Sequence, residues 1–260
     1  MSLEGDTQPT ASAYETVDAL VERSGRRKIP LRRTFVQRKD DANKSVPGPM
    51  AEFVSANDRF GLLLFLLLMT CASAGEFDVS HHSAVWARAL GLARPTEATA
   101  RTRVSKAWHR LSNRNLVGRE RRRRSAKLTP LCEDGSGEPY TRPNRDFIAI
   151  PHALWTDGPG DGHRWYEVLS LAELAVLLIG LMNADDFALP AERVPTYYGV
   201  SADTFERGAR ELRKRGLLQW RRSRKTAPLA PEGYTMENRY TLQSPFGPTG
   251  VTSSSTGAVR

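Results

Sequence analysis

Cysteine is scarce in this chain. Cys71 and Cys132 are the only two, they lie far apart, and no metal-type spacing involves them. That pattern fits an intracellular, reducing compartment, with Cys71 a small residue of an apolar helix. Catalytic signatures are also missing. No glycine-rich phosphate loop ends in Lys-Ser or Lys-Thr, no His-x-Glu accompanies a paired cysteine motif, and no two histidines are separated by one residue. His81 and His82 are adjacent, so on a helix they diverge by about 100° and cannot readily share a metal. Tyr197 and Tyr198 end a predicted helix, where aromatic residues pack. The chain therefore reads as a non-enzyme, with no cofactor and no metal expected.

Long apolar runs are few. The longest, residues 60–72, has 13 residues, short of the roughly 20 that span a bilayer. It is expected as a helix buried on most sides, and a cytoplasmic protein without a membrane partner is the corresponding expectation. The N-terminus is polar, with no apolar core of a signal peptide. Aromatic residues make up only 8% and seldom fall in the basic stretches, unlike a groove for single-stranded nucleic acid. Trp220 and Tyr234 are expected to pack against their own hairpin. Acidic residues are nearly absent from residues 101–127, where Glu120 stands among eleven Arg or Lys. The net charge of +9 is concentrated there, which points to a polyanionic partner such as nucleic acid.

What the chain does contain is a pattern that occurs twice. Leu111-Ser112-Asn113-Arg114-Asn115-Leu116-Val117 and Leu212-Arg213-Lys214-Arg215-Gly216-Leu217-Leu218 both read as the end of an amphipathic helix, a left-handed cap and the start of a strand. An arginine-rich strand follows each copy. The predicted fold class is mainly α with small β-hairpins (α+β), arranged as two winged helix-turn-helix domains in tandem. A basic, largely flexible arm is expected over residues 1–50, with one short helix at 13–23. The first domain is expected over 51–143, with helices at 57–73, 80–90 (capped by Ser80) and 96–114, Gly75 stopping the first, and a hairpin of strands 116–124 and 127–133. The second is expected over 144–243. It has a strand at 147–150, a loop at 152–162, a Ser-x-x-Glu capping box at Ser170–Glu173 opening a helix to 183, and a helix from Pro190 to Gly199. Its third helix runs from Ser201 to 215, with wing strands at 217–224 and 238–243. Residues 244–260, rich in Ser, Thr, Gly and Pro, are expected to be disordered.

In both third helices, helical spacing separates core from surface. Val104, Trp108 and Leu111 face inward in the first, and Phe205, Ala209 and Leu212 in the second. The polar positions become candidate DNA contacts, because Arg and Lys reach guanine, Asn reads adenine and Asp accepts from cytosine. They are Thr102, Arg103, Lys106, His109, Arg110 and Asn113 in domain one, and Ser201, Asp203, Thr204, Arg207, Arg210 and Lys214 in domain two. The wings add phosphate-contact candidates: Arg119, Arg121, Arg122, Arg123, Arg124 and Lys127 in the first, Arg221, Arg222, Arg224 and Lys225 in the second. Arg26, Arg27, Lys28, Arg32 and Arg33 would track phosphates or enter a minor groove from the arm.

Residues 147–154 (FIAIPHAL), 169–178 (LSLAELAVLL), Tyr198-Gly199-Val200-Ser201 and Gly216-Leu217-Leu218 together resemble the winged-helix domains of plasmid and phage replication initiators. The resemblance implies an opening strand and Ile-Pro, then a Leu-Ser-rich helix start, and binding of repeated origin sites. The expected partner is double-stranded DNA; self-association and contact with replication or transcription machinery stay open, and no small-molecule ligand is evident. Three roles follow: transcriptional regulator, replication initiator of a mobile element, or a protein-binding adaptor that uses the apolar helix at 60–72.

Overall fold

The computed structural model describes residues 10–72, 77–122, 125–183 and 185–247. It is mixed α+β, with ten α-helices and small antiparallel sheets among these residues. The N-terminal segment holds α1 (Ala13–Glu22), β1 (Lys28–Arg32), the short hairpin β2 (Gln37–Lys39) and β3 (Ser45–Pro47), and α2 (Met50–Ser55). Then come α3 (Arg59–Cys71), β4 (Val79–His81), α4 (Ser83–Ala89), α5 (Ala98–Asn113), β5 (Val117–Arg122) and β6 (Ser125–Pro130). A connecting segment carries β7 (Phe147–Pro151), α6 (Ala153–Thr156) and α7 (Trp165–Val168). The last described elements are α8 (Leu171–Met182), β8 (Phe187–Ala188), α9 (Val194–Tyr198), α10 (Ala202–Lys214), β9 (Leu218–Thr226) and β10 (Tyr234–Leu242).

Helix, strand, helix, helix, hairpin thus occurs twice. The sheets match as well: β4-β6-β5 in the first unit and β8-β10-β9 in the second, each with the strand that follows the first helix paired to the last strand. The local causes are those read from the sequence. Ser170 and Glu173 form the reciprocal capping box that starts α8. The Ser201 hydroxyl accepts from the Thr204 amide at the start of α10. Asn115 (φ 54°) and Gly216 (φ 74°) take the left-handed conformation just beyond α5 and α10, which turns each helix back onto its hairpin.

Residues 60–72 are apolar because nothing of α3 from Leu62 to Leu68 reaches solvent: each of these residues is at most 3% exposed. α1, α2, α5 and β1 all pack on that helix. A helix apolar on all sides is a core helix, and no helix among the described residues is long and apolar enough to cross a membrane. α8 is buried in the same manner by α10, β7, β10 and α2. At the α8–α10 crossing, a Cβ on Gly208 would lie 2.5 Å from the Ala172 carbonyl oxygen. Backbone cannot yield there as a side chain would, so Gly208→Ala should push the helices apart and cost about 1–3 kcal/mol. Urea denaturation measures this, and a cost within error of zero would show the crossing to be adjustable.

Several expectations change. Residues 10–50 are not a loose arm where they are described. α1 is capped by Ser12 and Glu15 and buries Val17, Leu20 and Val21. β1 pairs antiparallel with β7 from Lys28↔Pro151 to Arg32↔Phe147. The Arg164 guanidinium grips the Asp18 carboxylate at 2.7 and 2.9 Å. The pairing joins residues over 100 positions apart, so no local pattern announces it. One hydrophobic cluster consequently runs through the N-terminal segment and both repeats. The helix expected at 57–73, with Asn57 or Asp58 as its cap, runs from Arg59 to Cys71, and Asp58 is the cap, its side chain accepting from the Gly61 amide; its expected stop, Gly75, lies outside the described residues. Ser80 lies in β4 and caps nothing; His82 caps α4 instead, its Nδ1 accepting from the Ala84 amide. The loop expected at 152–162 contains α6, which seats Trp155 in the core. Residues 190–199 are split into a 3₁₀ turn at Ala191–Arg193 followed by α9. The wing strands run longer than expected, to Thr226 and from Tyr234. In the tail, Phe246 is buried against Trp165, and residues 248–260 lie outside the described residues.

Candidate nucleic-acid interface

α5 and α10 each bury the predicted stripe. Val104, Trp108 and Leu111, like Phe205, Ala209 and Leu212, are at most 6% exposed. The opposite face is open in both. Thr102, Lys106, His109 and Asn113 are exposed on α5, and Asp203, Arg207, Arg210 and Lys214 on α10. Thr102, Lys106, His109 and Asn113 have no hydrogen-bond or ionic partner among the described residues, so their polar groups are available to a ligand. On α10 the cations are lightly held: Arg207 lies 3.4 Å from Asp203, and Lys214 and Arg210 lie 2.9 and 3.7 Å from Glu211. Such exposed pairs are worth at most about 1 kcal/mol and yield readily to a phosphate. Ser201 and Thr204 are occupied with each other at the helix start, 2.8 Å apart, where they cap α10.

Two predicted contacts on α5 have other work. Arg110 donates two hydrogen bonds to the Asp58 carboxylate, at 2.9 and 2.7 Å, and Arg114 donates a third at 2.8 Å. Arg114 also lies over the Phe53 ring, 4.3 Å from its centroid. Asp58 is buried, and burial pushes its carboxyl upward, but the bonds from Arg110 and Arg114 outweigh this and hold it down at about 2. Arg110 is therefore a strut between α3 and α5 rather than a free reader. Arg103 stacks on Phe60 at 4.8 Å. Between these residues a pocket of about 1000 Å³ runs along α5, lined by Asn57, Phe60, Leu92, Arg103, Lys106 and Tyr166 among others. A second, of about 500 Å³, separates α5 from its hairpin and is lined by His81, Arg101, Thr102, Ser105, Arg119 and Ser125.

The first hairpin places Arg119 beside Ser105 of α5, at 3.2 Å, and Lys127 3.3 Å from Asp78. Of Arg121 and Arg122 only the backbone is described, paired with Ala126 and Ser125; Arg123 and Arg124 lie outside the described residues. In the second hairpin Arg221 and Arg239 converge on Asp186, at 2.7 and 2.9 Å, and those bonds hold its carboxyl below the ordinary value even as desolvation works against them. Arg222 and Lys225 are exposed, with no partner among the described residues. Arg224 caps the Tyr234 ring at 4.6 Å, and Arg213 of α10 caps Trp220 at 5.3 Å. Tyr234 thus packs on its own hairpin as expected, whereas Trp220 is 38% exposed and meets Arg213 of α10 instead.

The expected basic arm splits in two. Arg32 is structural: it pairs with the fully buried carboxylate of Glu133 and donates to the Thr141 carbonyl at 2.6 Å. Burial raises the Glu133 carboxyl, and Arg32 pulls it back. Arg26, Arg27, Lys28 and Arg33 are exposed on the ordered β1 region. Arg101, Arg213 and Arg239 were not among the expected site residues. Arg101 has the same exposed α5 setting as Thr102, a signal available from spacing; the other two depend on rings and acids distant in sequence. Among the described residues no cluster of three metal-type side chains occurs. No protein-family profile matches the chain, and neither a curated protein nor a solved structure matches it significantly.

Proposed function

We propose that the chain is a sequence-specific double-stranded DNA-binding protein without catalytic activity. Its two repeats would be winged helix-turn-helix units, with α5 and α10 as the helices that enter major grooves and the β5–β6 and β9–β10 hairpins as wings. One observation carries the reading: the same helix–strand–helix–helix–hairpin order, with the same strand order, exposes an unpartnered or weakly paired polar stripe and runs at once into a basic ribbon in both copies. Helices presented this way read base edges, while flanking cations hold phosphates. Two readers in one chain raise the effective concentration of the second contact, so each can be modest.

Transcriptional control is the preferred role, and replication initiation on a mobile element is the second reading, favoured by the resemblance at residues 147–154 and 169–178. An adaptor role loses its main support, since the apolar excess of α3 is taken up by packing within the chain. Selection of bound sequences from random duplex DNA at near-physiological salt tests the proposal. An enriched motif supports a reader; tandem copies near an origin favour initiation, and one copy over a promoter favours regulation. Absence of binding overturns the reading. Arg207→Ala should cost about 1–3 kcal/mol on the selected site and much less on random DNA; equal losses on both would remove Arg207 from the readers.

A further inference from the structure

The second hairpin extends far beyond the body of the protein. Tyr240, opposite the exposed Trp220, is the last buried residue before the tip, and the ladder continues to Thr226↔Tyr234. Beyond the Arg239↔Ala188 pairing with β8, five further residue pairs at about 3.4 Å each carry the two-stranded ribbon about 17 Å outward. That reach matches the half helical turn, about 17 Å, between a major groove and the next minor groove. A bare two-stranded ribbon is marginal in water, yet this one is braced across its strands by Arg224 on Tyr234.

Its tip is built as a rigid apex. Two successive turns close it: Ala230 N–H donates to the Ala227 carbonyl and Gly233 N–H to the Ala230 carbonyl, each at 2.9 Å, and Ala227 N–H donates to the Gly233 carbonyl at 2.9 Å. Pro228 and Pro231 occupy the second position of the two turns, where their fixed φ suits the geometry. Leu229 stands at this apex with 101% of its surface exposed. It contributes nothing to the core, and a polar residue would serve a solvated turn better. The hairpin has five cations against two acids. Of those acids, Glu237 is bonded to Arg239, and Glu232 sits beside the Tyr234 hydroxyl and raises its pKa.

We propose that this hairpin is a minor-groove wedge: Leu229 enters between two base pairs of duplex DNA and unstacks them, while Arg222, Arg224 and Lys225 hold the flanking phosphates. The inference rests on the duplex-binding reading and adds a mechanical act to it. Apolar side chains inserted at base steps kink DNA and repay the lost stacking with added contact, and T·A steps yield most easily. The wedge would therefore favour sites with such a step beside the sequence read by α10.

The test uses the full chain and a duplex of about 30 base pairs with a central T·A step, dyes at its ends, and low salt to secure binding. The wild type should raise energy transfer between the dyes and make the central thymine reactive to permanganate. Leu229→Ala, at a residue that supports no packing, should fold like the wild type but, at protein concentrations that saturate the duplex, lose most of the bend and the thymine reactivity; Leu229→Phe should retain both. A Leu229→Ala protein that bends and unstacks like the wild type overturns the wedge and leaves duplex binding intact, as does a wild type that binds without either signal. Failure of the wild type to bind any duplex overturns both readings.

Discussion

Asp58→Ala is expected to cost about 3–5 kcal/mol of folding stability, the range for removing one partner of a buried ion pair. Three losses coincide in that one substitution. The Gly61 amide at the start of α3 loses its cap, Arg110 loses both of its carboxylate bonds, and Arg114 loses its own, keeping Glu52 at 3.6 Å as its one nearby carboxylate among the described residues. Asp58→Asn keeps the cap but not the charge, so it should fall between wild type and alanine. The pH dependence carries its own sign. The folded carboxyl is depressed to about 2, below its value of about 3.9 in an unfolded chain. Its contribution is therefore complete above pH 4 and disappears as the pH falls towards 2. The gap between the urea midpoints of wild type and Asp58→Ala should therefore narrow across that window without closing, because the shift accounts for only about 2.6 kcal/mol of the loss. A constant gap, or a loss under 1 kcal/mol at neutral pH, would show that α5 is held by its apolar face alone.

The same cluster shows what can be read from sequence and what cannot. Local signals place α8, α10 and the caps at Asn115 and Gly216, because capping boxes, helical periodicity and left-handed residues act over a few positions. The core stripes of α5 and α10 follow for the same reason. Roles set by distant partners are hidden. Arg110 has the spacing of a surface reader, and only the fold brings Asp58, 52 positions earlier, against it. Arg32 has the look of a solvated arm until Glu133, 101 positions later, meets it in the core. β1 likewise becomes a strand through β7 rather than through its own short pattern, Lys-Ile-Pro-Leu-Arg, in which proline argues against a central strand. The candidate interface was thus legible as two exposed faces, whereas the division of its arginines between struts and free cations required tertiary contacts.

The free cations of the second hairpin should therefore set much of the salt dependence of DNA binding. In the second hairpin Arg222, Arg224 and Lys225 are exposed and free of any carboxylate partner among the described residues, whereas Arg221 is held by Asp186 at 2.7 Å. Each phosphate contact contributes about 0.9 to the slope of log affinity against log salt. Replacing Arg222, Arg224 and Lys225 together with alanine should flatten that slope by about 2.7, so that a fourfold rise in salt costs the variant about 40-fold less affinity than it costs the wild type. Arg221→Ala alone should move the slope far less, because its charge is already compensated. Fluorescence anisotropy on one duplex across a salt series measures both. The losses should be alike on selected and random sequences, since phosphates carry no base identity, which separates this wing from Arg207 on α10. An unchanged slope in the triple variant would mean that the ribbon never touches the backbone. The polyanion would then be met elsewhere, and the eleven Arg and Lys of residues 101–127 are the other concentration of positive charge in the sequence.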